Sequence, residues 1–200
     1  MGARKRPQFA ACYTLAMAVS TKKPWTADEL VRLPAGWRYE IEDGELVIMS
    51  PASWRHNRVV TRVTVVLDTF VRTQGIGQVL AGETGIYVRR QPRETLRGVD
   101  VAYWSAERVA QLGDTSGFSK VPPDLAVEVD DPSEPDLKRK VTEYLGAGVR
   151  SVWVLDPVEE TLTRHAPGEQ PRTLGGPDAV VADPVLPGFS CRLDELFEPV

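Results

Sequence analysis

Two short apolar runs, Val99-Asp100-Val101-Ala102-Tyr103 and Leu125-Ala126-Val127-Glu128-Val129, each carry a single carboxylate. Near-continuous runs of this kind suit strands buried on both faces, as in an α/β sheet covered by helices. A carboxylate inside such a run is costly unless it is paired, protonated or metal-bound. Two of them on neighbouring strands would also repel each other, and a divalent cation between them removes both problems. Magnesium suits hard oxygen ligands and keeps several of its waters. The structural alternative is two strand-end acids capped by backbone amides or arginine, and the pattern alone leaves both readings open.

The rest of the chain fits around these strands. A third apolar run spans Ser151 to Leu155. Between the second and third lies Asp136 to Ala147, a helix closed by Gly146 and Gly148. Thr26-Ala27-Asp28-Glu29 has capping-box spacing and predicts a short helix to about Leu33, stopped by Pro34. Asp43-Gly44 predicts a hairpin joining Trp37–Glu42 to Glu45–Met49. The longest helix is expected over Ser53 to Gln74, with Val59, Val63, Val66, Leu67, Phe70 and Val71 as its apolar stripe. Gln78 to Val88 reads as extended, with Gly82 and Gly85 allowing a bend or bulge. A second hairpin is expected from Ser151–Leu155 and Thr161–His165, and a last turn over Leu193 to Phe197. This order predicts a mixed α/β sheet flanked by helices, as one domain over residues 17–200. Residues 1–16 weakly mimic a signal peptide but are interrupted by Tyr13 and Thr14. They are expected to be a disordered extension, with Met17 as an alternative start.

Charge and cysteine content narrow the function. The net charge of -4 gives no global pull toward nucleic acid or anionic membrane. It permits a metal-dependent nuclease, because a bound cation offsets ligand carboxylates. Arg89, Arg90, Arg93 and Arg97 cluster ahead of the Asp100 strand, either as phosphate contacts or as a solvated loop. Cys12 and Cys191 are isolated, which argues against a thiolate zinc site or a disulfide scaffold and fits a reducing cytoplasm. No apolar run approaches the roughly 20 residues needed to span a bilayer.

Other chemically capable residues surround the two acids. Asp136, Lys140 and Tyr144 recur at four-residue steps and share one helix face, which can aim the Lys140 ammonium at Asp100 and Glu128. The alternative is a surface Asp136–Lys140 pair worth a few tenths of a kcal/mol. Alternation places Glu40 on the same face of its strand as Glu42. His56 opens the long helix, as a capping residue or a site member.

Taken in order, several stretches carry a family likeness. They are Arg38-Tyr39-Glu40-Ile41-Glu42-Asp43-Gly44-Glu45, the two carboxylate-bearing runs, Asp136…Lys140…Tyr144-Leu145-Gly146-Ala147-Gly148, Val152-Trp153-Val154-Leu155-Asp156-Pro157 and Val185-Leu186-Pro187-Gly188-Phe189. From Trp25 to Phe197 the chain resembles the Uma-two family, described as restriction endonucleases, within the PD-(D/E)XK nuclease superfamily. The resemblance implies a restriction-endonuclease-like mixed sheet flanked by helices, with an added N-terminal hairpin. It implies hydrolysis of DNA phosphodiester bonds with Mg2+, for which Mn2+ can substitute. It matches Asp100, Glu128, Lys140 and Glu40 to catalytic positions, with Asp100, Glu128 and the Val129 carbonyl as metal ligands and His56 and Tyr144 as accessories. DNA is the expected partner, and a homodimer is compatible with this reading. Two departures stand out: Val99 replaces the family's usual proline, and Asp130 occupies the superfamily's lysine slot. Rival expectations are a non-catalytic nucleic-acid-binding module and a metal-assisted phosphoesterase with another substrate.

Overall fold

The computed structural model describes residues 23–34, 37–132 and 136–198. The expected extension over residues 1–16 lies outside them. Among the described residues four helices and ten strands follow one another: α1 (Ala27–Leu30), β1 (Arg38–Glu42), β2 (Glu45–Met49), α2 (Trp54–Gln74), β3 (Gly77–Arg89), β4 (Thr95–Ser105), α3 (Ala106–Val109), β5 (Leu125–Val129), α4 (Leu137–Gly146), β6 (Ser151–Asp156), β7 (Thr161–His165), β8 (Arg172–Leu174), β9 (Val180–Val181) and β10 (Cys191–Arg192). A 3₁₀ turn over Leu193–Leu196 closes the described chain.

The Thr26 capping box forms, with the Thr26 amide donating to Glu29 at 3.1 Å. The helix it opens is shorter than expected. After Leu30 the chain tightens into i→i+3 bonds, Arg32 N–H to Glu29 O and Leu33 N–H to Leu30 O. Leu33 precedes a proline, which disfavours helical backbone there. The Asp43-Gly44 turn carries positive φ at both residues, as the tight hairpin geometry requires. Ser53 caps α2 by accepting from the His56 amide at 3.2 Å, and Gly75 ends it in the left-handed region.

Eight strands build the main sheet, in the order β2-β1-β4-β5-β6-β7-β8, with β3 paired to β4. Only β5 and β6 run parallel, joined through α4; the other pairings are antiparallel. The α2 stripe of Val59, Val63, Leu67 and Val71 packs on one face with Trp153, Leu186, Phe189 and Leu196. On the other face Val141 and Tyr144 of α4 join Ala102, Trp104, Ala126 and Val152. All five residues of β5 are buried, as its composition predicts.

The long strand β4 organises everything that follows. It begins at Thr95, four residues before the apolar run that announces it. One edge pairs with β3 from Thr95 to Ser105. The other edge must therefore be divided between β1, which pairs at Leu96, and β5, which pairs at Val101 to Tyr103. Between them, at residues 97–100, β1 and β5 diverge like a fork. On the β3 side, Ala81 faces Val101 and Thr84 faces Val99, so Gly82 and Glu83 together oppose the single residue Asp100. That is a β-bulge, with φ of 91° at Gly82 and 64° at Glu83.

Candidate active site

The fork leaves Gly98 without a strand partner on that edge, and side chains take over. Its N–H donates to Glu40 Oε1 at 3.0 Å, and its carbonyl lies 3.2 Å from the Tyr144 hydroxyl. A buried backbone group must find a partner. Satisfying Gly98 in this way draws β1 and α4 to the start of the Asp100 segment.

Asp100 is 4% exposed. Its Oδ2 accepts from the Val129 amide at 2.9 Å and lies 3.0 Å from His56 Nε2. A carboxylate only accepts, so that imidazole nitrogen carries the proton. Burial opposes the charge on Asp100, but the His56 hydrogen bond, the His56 charge and the Val129 amide outweigh it and hold its pKa below the usual value. The carboxylate is thus a member of a hydrogen-bonded pair, and its loss would remove native bonds from the metal-free chain.

Glu128 lies one register step past the last β4–β5 pair, on the strand beside Asp100. Its Oε1 accepts from Tyr144 at 2.7 Å, and its Oε2 lies 3.6 Å from Lys140 Nζ. Burial, then the charges of Glu128 and Glu40, raise the Tyr144 pKa well above the ordinary phenol value, so its hydroxyl remains a donor. Lys140 is 4% exposed, and its Nζ also pairs with Glu40 Oε1 at 3.1 Å. Lys140 thus lies buried against two acids and not on a solvated face. Asp136 is exposed and faces Arg139.

Glu40 is held on both oxygens. Its Oε2 accepts from Arg97 at 2.8 Å, while Oε1 faces Gly98 N–H and Lys140. Both oxygens are thus engaged by fixed donors. Arg97, expected in a surface cluster with Arg89, Arg90 and Arg93, is 1% exposed. It reaches Glu143 at 2.7 Å and Glu42 at 2.5 Å as well as Glu40. Three carboxylates around one guanidinium compensate its burial, which removes Arg97 from any phosphate-binding surface. Arg89 pairs with Asp43 at 2.6 Å, and Arg90 lies over the Tyr87 ring. Asp130 extends the ladder by donating its amide to Leu155 O at 2.8 Å.

One acidic residue of the site escaped the sequence reading. Glu83, on the bulge opposite Asp100, pairs with Arg38. Burial first, then the negative charge of Asp100, push its pKa up to about 7. The only signal was Gly82, which marked the bulge but not the residue it turns inward.

Comparison with known proteins gives a family and a fold. A family model, Uma2, described as "Putative restriction endonuclease", matches residues 27–194. The chain belongs to the Uma2 family. A crystal structure titled as that of a "putative nuclease" from Anabaena variabilis superposes with a TM-score of 0.72 at 20% identity. The match covers 87% of this chain and 98% of that one, which establishes the shared fold. No curated protein is significantly similar to the chain. Among the described residues no helix is long and apolar enough to cross a membrane.

Proposed function

We propose that this Uma2 member is a metal-dependent endonuclease that hydrolyses DNA phosphodiester bonds. The observation that carries this reading is the fork itself, where Asp100, Glu128 and Lys140 are buried together on three different elements.

The donor set fits a magnesium-type ion. Among the described residues no three His, Cys, Asp or Glu side chains are already arranged to enclose a metal. Magnesium does not need such a cage; one or two carboxylates with water and substrate phosphate suffice. Asp100 and Glu128 would supply the carboxylates. The Val129 carbonyl is the third expected ligand, and the same residue is already docked against Asp100 through its own N–H. When bound, the ion would polarise the scissile phosphate and make a coordinated water more acidic.

The protein's own groups have separable tasks. His56 and the Val129 amide orient Asp100. Tyr144 orients Glu128. Glu40, locked by Arg97 and Gly98, holds the Lys140 ammonium beside Glu128, where it can stabilise charge that develops on the phosphate. We assign Glu40 the positioning of Lys140. Trp54, 86% exposed and two residues before His56, lies close to the site in sequence and is available to contact the nucleic acid.

Incubating supercoiled plasmid with the protein in Mg2+ or Mn2+ tests the reading. Cleavage should require the divalent ion and disappear in Asp100→Asn and Glu128→Gln. No cleavage of plasmid, linear duplex or single-stranded DNA with either ion, or equal cleavage by the two variants, would refute it.

A further inference from the structure

We propose that Glu83 is a third carboxylate of the cation site, presented to the bound ion by the β-bulge opposite Asp100. The inference rests on the metal-dependent reading above and adds to it a residue from a strand not otherwise represented in the site.

Four features of the structure converge on Glu83. First, register: a two-residue bulge falls opposite Asp100, and the other irregularity between these strands lies apart from it, between Tyr87 and Arg89. Second, conformation: Glu83 sits at φ 64°, a region that residues other than Gly, Asn and Asp rarely adopt. A residue kept in that region needs surroundings that over-determine it. Third, space: Gly98 provides a cradle beneath the Glu83 carboxylate. A Cβ built on Gly98 would stand 2.5 Å from Glu83 Oε2, so the missing side chain is what lets Glu83 lie across β4. Fourth, electrostatics: Glu83 lies opposite Asp100 in the sheet register and is paired with Arg38 on β1. Two acids brought opposite each other in a largely buried site invite a cation, and Arg38 supplies the balancing charge in its absence.

The alternative is that Glu83 simply ties β3 to β1 through Arg38. The two roles differ in what happens to a bound ion. As a ligand, Glu83 takes one coordination position that water must fill when it is removed. As a structural tie, it leaves the ion's hydration untouched.

The experiment uses Mn2+ as probe, with affinity from titration calorimetry and the number of Mn2+-bound waters from solvent proton relaxation. The wild-type chain is compared with Glu83→Gln, Gly98→Ala and Asp100→Asn. Glu83→Gln keeps the side chain's shape, and Gly98→Ala displaces the carboxylate without changing any charge. Both should weaken Mn2+ binding on the order of tenfold, and the remaining bound ion should carry one more water. If Glu83→Gln fails to fold, Gly98→Ala alone decides. Wild-type affinity in both variants, or weaker binding with an unchanged water count, overturns the assignment of Glu83 while a loss of binding in Asp100→Asn leaves the cation site standing. Unchanged binding in Asp100→Asn would instead bring down the cation site as a whole, and this inference with it.

Discussion

Replacing Lys140 with methionine separates three consequences that a surface lysine would not have. The side chain is 4% exposed and its ammonium lies 3.1 Å from Glu40 and 3.6 Å from Glu128. Removing one partner of a buried charge pair typically costs about 3–5 kcal/mol, because the other charge is left uncompensated. Arg97 still faces Glu40 at 2.8 Å in the variant, so the lower end of that range, about 3 kcal/mol, is expected. For a domain of this size that corresponds to a fall in Tm of roughly 6–12 °C in EDTA. Methionine matches the length of the stem, so the loss reports the charge and not a cavity. Mn2+ affinity should move the other way. The ammonium and a divalent ion compete for Glu128, so the variant should bind Mn2+ several-fold more tightly, and saturating Mn2+ should recover part of the lost Tm. Turnover on plasmid should nevertheless fall on the order of a hundredfold or more, since the missing contact acts on transition-state charge. Lys138→Met, at an exposed position on the same helix, is the control and should leave all three quantities unchanged. A Tm change below about 2 °C with undiminished turnover, or a loss of Mn2+ affinity, would refute the placement of Lys140 between the two carboxylates.

Asp100→Asn should destabilise the metal-free chain by about 1–3 kcal/mol at pH 7. The folded chain holds the Asp100 pKa below its ordinary value of 3.8, so the charged form contributes stability above about pH 4 and loses it as the pH falls through the folded pKa. The gap between variant and wild type in urea melts should therefore close below pH 4; a gap that persists there would show that charge is not its source. Arg97→Met should cost about 3–5 kcal/mol in urea unfolding by stranding Glu40, Glu42 and Glu143, whereas a surface phosphate contact would cost almost nothing. Trp54→Ala should weaken binding of a fluorescent oligonucleotide by about 1–3 kcal/mol while Mn2+ affinity stays at the wild-type value; unchanged DNA affinity would place this exposed ring outside the DNA path.

How much of this was legible in the sequence depended on the range of the signal. The β1–β2 hairpin, α2 and β5 were readable because each rests on local chemistry: a turn that needs positive φ, a 3.6-residue stripe, an unbroken apolar run. Asp100 and Glu128 were readable for the same reason, as charges inside such runs. The Arg97 burial was not readable. Thr95, Leu96, Arg97 and Gly98 look like a basic loop until β1 brings Glu40 and Glu42 against them, and those residues are more than fifty positions away in the chain. Glu83 failed for a related reason. The sequence shows a glycine that permits a bulge, but only the register of β3 on β4 decides which residue the bulge opposes.

The fork explains why these misses and the site coincide. A strand paired on both edges satisfies its own backbone and offers nothing to side chains. Where β4 passes from β1 to β5, its edge is open for a few residues, and Gly98 must bond to a carboxylate and a phenol instead. That requirement brings Glu40 and Tyr144 inward, Glu40 fixes Lys140, and Tyr144 fixes Glu128. The same open segment carries Asp100, bound on one side by the Val129 amide and on the other opposed by the bulge that turns Glu83 toward it. From α4, on a different element again, the Lys140 ammonium reaches Glu40 and Glu128 at the same fork.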